Sequence, residues 1–257
     1  LGQIDTSINF FEKVLKIDPK NTNAHYNLGA TFYKLKKFTK AKNYFQKTTE
    51  LQTNYAAAFF GLGNVHVDLK EFEKAISCYQ KAIEINPNLL GAHNNLGLAF
   101  RVLNDFQNAI SCYKKVIEIE PSHVGAHHNL GLAHKEIGQL EKAIKSHQTA
   151  IKYEPGNAVH YFYLSELKKD ILDTHLKTTI EKIIKNDKST KNNTAYGNYV
   201  LAKFEQKAKN YEKELNYLIK GHQDFFEFRK AKFNLAVKYC FDDVLQISEG
   251  VNIKKLN

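Results

Sequence analysis

From Thr22 to Tyr153 the apolar residues recur at three- and four-residue spacing, in blocks separated by short polar breaks. In one block Leu96, Ala99, Phe100 and Leu103 fall on one helical face; after Asn104 and Asp105 a second set begins, with Phe106, Ala109, Ile110, Tyr113, Val116 and Ile117. Each block therefore predicts two amphipathic helices joined by a tight turn. Pro121 ends the second helix, because it cannot continue one and biases Glu120 away from the helical region. The chain has 4 prolines, Pro19, Pro87, Pro121 and Pro155, and each closes a block.

The blocks repeat in register. Gly97 and Gly131 are 34 residues apart, as are Leu96 and Leu130, Ala109 and Ala143, and Pro121 and Pro155. The frame runs back through Leu62, Gly63, Ala75 and Pro87 to Leu28, Gly29 and Ala41. It predicts four units at about 22–54, 56–88, 90–122 and 124–156, with turns at Lys36, Lys70, Asn104 and Gly138, the last best suited to a positive φ. Gly97 and Ala109 are small, which lets the two helix axes approach to the lower end of the usual ~8–10 Å range. Residues 1–19 fit only a second helix, through Ile4, Phe11, Val14 and Pro19, so the chain is expected to open within a unit.

This pattern resembles the tetratricopeptide repeat (TPR) family. The resemblance implies an all-α fold, a right-handed α-solenoid of helix–turn–helix repeats, over residues 1–157. Residues 158–257 are expected to form divergent helical hairpins: one with helices at about 158–170 and 171–186, a polar loop at 187–194, a hairpin from Tyr199 that regains the frame through Leu201, Ala202, Tyr211 and Leu218, and a last helix at about 224–247. This C-terminal part also weakly resembles the segment that joins TPR arrays to sulfotransferase domains in bacterial fusion proteins. A glycine-rich, basic donor-binding loop is absent from it.

Composition narrows the function. No apolar run reaches the ~18 residues of a membrane span, and no signal segment opens the chain, so a soluble, cytoplasmic protein is expected. Net charge is +10, almost all from lysine, with Arg101 and Arg229 the only arginines; scattered lysine reads as a solvated surface rather than a nucleic-acid site. Cys78 and Cys112 occupy one repeat position in adjacent units, roughly 10 Å apart by helix packing. That exceeds the ~7 Å a disulfide allows, and free thiols are expected, half-buried on outer helices. Cys240 has no obvious partner.

Eleven histidines invite a metal reading. His25, His93 and His127 share one frame position, and His66 and His134 another, which points to packing. His123 and His127 have a zinc-pair spacing without a third ligand. No nucleophile–base pair or phosphate loop is present. Neither a cofactor, a metal nor an enzyme activity is expected.

Binding residues are sought on the first helices, which line the concave face in the family the chain resembles. There Asn27, Asn95 and Asn129 share one position, with Gly61 breaking the series; Tyr26, Phe60, Asn94, His128 and Phe162 share the next, and Asn64, Arg101 and Lys135 lie nearby. A carboxamide both donates and accepts, so asparagines on successive repeats can pair with a peptide backbone whatever its side chains. This resembles the asparagine ladder of O-GlcNAc transferase. The carboxylate-gripping TPR mode is not expected: Asn64 and Asn95 fit its asparagines, but Phe60, Gly125 and Asn129 stand where its cations belong. The expected function is a scaffold binding an extended peptide or a partner protein. The alternative is the non-catalytic, substrate-recruiting segment of a sulfotransferase or glycosyltransferase.

Overall fold

The structure, a computed structural model, describes residues 2–229. They divide into two compact units between Tyr153 and Glu154. No helix among them is long and apolar enough to cross a membrane.

The first unit opens with α1 (Gly2–Ile17) and continues through four helix pairs: α2 (Thr22–Lys34) with α3 (Phe38–Leu51), α4 (Ala56–Asp68) with α5 (Phe72–Ile85), α6 (Leu90–Val102) with α7 (Phe106–Ile119), and α8 (Val124–Glu136) with α9 (Leu140–Tyr153). Each pair packs within itself and then on the next, and the first helices α2, α4, α6 and α8 also touch in series. Ile8, Phe11 and Leu15 of α1 cover the cluster of Leu28, Phe32, Phe45 and Leu62, so α1 serves as the second helix of a repeat.

Two local devices repeat through this unit. The first is the turn. Lys36, Lys70, Asn104 and Gly138 have φ of 56°, 61°, 60° and 74°, so all four sites are left-handed, not Gly138 alone. The following residue then donates its N–H back to the carbonyl five positions earlier, as in Glu71 to His66 at 2.8 Å and Asp105 to Phe100 at 2.9 Å. This closure satisfies carbonyls that the helix end would leave unpaired. The second device is a ring against a glycine. A Cβ on Gly29, Gly63, Gly97 or Gly131 would lie 2.8, 2.5, 2.6 or 2.7 Å from the ring of Phe45, Tyr79, Tyr113 or His147. The glycine is thus small to admit a ring from the partner helix, which adds a reason to the expectation that small Gly97 and Ala109 let the axes approach.

The second unit contains α10 (Ala158–Leu167), a 3-10 turn at Lys169–Ile171, α11 (Thr174–Lys185), α12 (Lys191–Lys207) and α13 (Tyr211–Arg229). Here the sequence reading needs three corrections. α10 and α11 pack chiefly on α12 rather than on each other, because Ser165 replaces the glycine and an extended link replaces the tight turn. The polar stretch expected to be a loop through 194 turns helical at Lys191: Thr190 caps α12 by accepting from the Asn193 N–H at 3.2 Å. Asn193 in turn donates to the Gly156 carbonyl at 2.8 Å and accepts from the Ala158 N–H at 2.5 Å. Finally, residues 224–229 belong to α13 instead of opening a separate helix, and Gly221 lets that helix pass the Tyr199 ring. α12 and α13 regain the repeat geometry, with Lys209 at φ 58° in their turn. The rest of the expected last helix, and Cys240, lie outside the described residues.

Candidate functional site

The asparagines of the first helices form one connected run. Asn129 on α8 donates through Nδ2 to Oδ1 of Asn94 on α6 at 3.2 Å, and Asn94 donates to Oδ1 of its neighbour Asn95 at 3.2 Å. Asn95 donates to Oδ1 of Asn64 on α4 at 2.9 Å. The same Asn64 oxygen accepts the Tyr79 hydroxyl at 2.8 Å. All four asparagines are half-buried, so each keeps one side toward solvent. A carboxamide offers two N–H donors and two acceptor lone pairs. After these bonds Asn94 and Asn129 each retain one N–H and at least one lone pair, while Asn95 also bonds the Tyr79 oxygen.

Beside Asn64 and Asn95 the face sinks into a pocket of about 190 Å³ between α2, α4, α5 and α6. Val67, Leu98 and Val102 give it apolar walls, and Tyr79 and the two asparagines line it with polar atoms. At its edge the Tyr33 hydroxyl donates to Oδ2 of Asp68 at 2.7 Å. Burial and then the Asp68 bond push the Tyr33 pKa up to about 12, so the phenol stays a donor at neutral pH. Burial likewise raises Tyr79.

The remaining expected residues are placed differently. Asn27 leaves the series, since its Nδ2 donates to the Asn23 carbonyl of its own helix at 2.8 Å. Tyr26 stacks on Tyr55 with ring centroids 5.1 Å apart, and Phe60 packs near Tyr79 at 5.9 Å. His128 meets His147 edge-on at 5.5 Å. Arg101 lies against Tyr113, whose pKa burial lifts to about 12 while the guanidinium draws it down. Lys135 holds the equivalent place on α8, half-buried. Phe162 belongs to the second unit, under the Lys203 ammonium at 4.2 Å.

Tyr33, Asp68 and Tyr79 were not anticipated from the sequence. A signal for Tyr79 exists, because Phe45, Tyr79, Tyr113 and His147 recur 34 residues apart, each 16 after a repeat glycine. Tyr33 and Asp68 sit at adjacent frame positions of successive repeats, which a search for identical positions passes over.

The recurring histidines hold the repeats together. His25, His93 and His127 each meet through Nε2 the carbonyl of the proline six residues before, at 3.0, 2.8 and 2.8 Å. Tyr161 makes the same bond to Pro155 in the second unit, at 3.1 Å. His123 caps α8, its Nδ1 accepting from the Ala126 N–H at 3.0 Å. The zinc-like pair is therefore engaged by backbone at both members. His66 meets Glu71 at 2.5 Å and lowers that carboxyl's pKa; burial lowers the pKa of His134. Cys78 is half-buried as expected, but Cys112 is buried; both are free thiols, pushed to about 11 by burial. Thiols held so far from ionisation are poor nucleophiles.

Comparisons with known proteins agree on this architecture. Family models described as "Tetratricopeptide repeat" match residues 56–89 and 91–123, 22–55, and 112–145, and one described as "TPR repeat" matches residues 1–36. No curated protein matches the chain. Among solved structures, one of MamA is 31% identical with a TM-score of 0.58, over 60% of this chain and 90% of that one. MamA from Desulfovibrio magneticus RS-1 is 19% identical with a TM-score of 0.57, over 64% and 93%. YrrB, described as "a TPR protein with an unusual peptide-binding site", is 17% identical with a TM-score of 0.57, over 80% and 96%. The C-terminal likeness to sulfotransferase-linked segments gains no support from these matches.

Proposed function

Because this chain belongs to the tetratricopeptide repeat family, we propose that the first-helix face of its first unit binds an extended segment of a partner protein. The observation that carries the reading is the run of Asn64, Asn94, Asn95 and Asn129 across three consecutive repeats, half-open and with hydrogen-bonding capacity to spare. The mutual bonds fix the carboxamides before any partner arrives, so little side-chain freedom is lost on binding. Their remaining donors and acceptors suit a peptide backbone, which offers the same groups at every residue. A TPR neighbour whose description includes a peptide-binding site is in keeping with this reading. Four first helices stepping by roughly 10 Å span about 30 Å, enough for about nine extended residues.

The test is to pan a library of acetylated, amidated peptides of about that length and remeasure the binders by calorimetry on Asn95→Ala/Asn129→Ala. Affinity should fall by about 1–3 kcal/mol, on the order of ten- to a hundredfold, and similarly for peptides of different sequence. The melting temperature should hold or rise slightly, since alanine has the better helix propensity. Unchanged affinity with a lower melting temperature would show these asparagines to be structural.

A further inference from the structure

The pocket beside Asn64 and Asn95 contains a group that the backbone-reading role leaves unused. Asp68 stands at the end of α4, exposed, with its carboxylate turned to the pocket edge. Among the described residues its one bonded partner is the Tyr33 hydroxyl, and no lysine, arginine or histidine pairs with it. What sets Asp68 apart is its place: it is the one charged residue among those lining the pocket. The approach to it is apolar: Val67, Leu98 and Val102 form the walls, and Val102 is 51% exposed although nothing polar tips it.

We infer that this pocket is a specificity site, resting on the groove reading above, that takes one lysine side chain of the bound segment. Its methylenes lie along Val67, Leu98 and Val102, and its ammonium reaches Asp68. Apolar walls leading to a single carboxylate match a lysine, whose stem is hydrophobic and whose head is a compact charge. Oδ2 of Asp68 is already engaged by Tyr33, which leaves Oδ1 for one strong bond; an ammonium needs only one oxygen, whereas a forked guanidinium does best with two. The volume of about 190 Å³ has room for one long side chain. A norleucine would fill the walls without meeting the charge. A glutamate would meet repulsion.

The experiment uses the whole chain and a positional-scanning peptide library in which one position at a time is fixed as Lys, norleucine, Arg or Glu and the others are mixtures. Binding is read by fluorescence anisotropy for the wild type, for Asp68→Asn, and for Asn94→Ala/Asn129→Ala, two groove asparagines outside the pocket lining. At one position the Lys pool should bind about tenfold tighter than the norleucine pool, the worth of one charge-assisted bond at a half-open site. Asp68→Asn should erase that preference and leave the norleucine pool unchanged, with an unaltered melting temperature because asparagine still accepts from Tyr33. The asparagine double variant should weaken every pool alike and keep the lysine preference. A lysine preference that survives Asp68→Asn, no preference at any position, or an Arg pool equal to the Lys pool would each overturn the assignment while leaving the groove reading intact. Failure of every pool to bind would overturn both.

Discussion

The glycines of this chain do two opposite jobs that look alike in the sequence. Gly63 leaves room for a ring: a Cβ there would stand 2.5 Å from the Tyr79 ring, which is 1% exposed and cannot swing aside. Gly156 meets nothing within 4 Å. Gly63→Ala should therefore cost about 1–3 kcal/mol by overpacking, and should also disturb the Tyr79 bond to Asn64. Gly156→Ala should stay within about 0.5 kcal/mol of the parent. Urea denaturation of the two variants checks the contrast; equal effects would mean that the ring has another place to go.

At the scale of the element, the turn between helices matters more than its residue type suggests. Lys36, Lys70, Asn104 and Lys209 all occupy the left-handed region, where a side chain costs roughly 1–2 kcal/mol. Glycine removes that cost but adds freedom to the unfolded chain. Lys70→Gly should accordingly stabilise by up to about 1 kcal/mol, seen as a higher urea midpoint with the slope unchanged. The helices themselves were legible, because a 34-residue frame with its small residues and prolines fixes both helix faces and their ends. The turns were located but only Gly138 was given its conformation, since lysine carries no local mark of a positive φ. The C-terminal helices were read less well. There Asn193 and Thr190 set the start of α12 through a cap and contacts to Gly156 and Ala158 more than 30 residues away in sequence, and spacing along the chain holds no record of such bonds. The site divides in the same way. The pattern located Asn64, Asn95 and Asn129 on one face, but their bonds to one another and the meeting of Tyr33 with Asp68 depend on distances between helices.

For the whole molecule the consequence of repetition is that damage spreads by contact rather than everywhere at once. Ala109 is fully buried between α7 and its neighbours. Ala109→Leu should cost about 1–3 kcal/mol, and amide hydrogen exchange should show protection lost first in α6, α7 and α8 and last in α1. Uniform loss through the first unit would mean that it opens as a single block. The joints between successive helix pairs carry a fastening of their own. Every proline here is followed six residues later by a ring with a polar tip that holds its carbonyl: His25, His93, His127 and Tyr161. At the one joint of the array without a proline, Thr53 is followed six residues later by Phe59, which has no polar tip. The two halves of the fastening thus come and go together. Because imidazole and phenol serve equally, what the joint demands is reach and one polar atom. Such a pair marks a seam between repeats even where, as after Pro155, the glycine that usually announces the next helix has become Ser165.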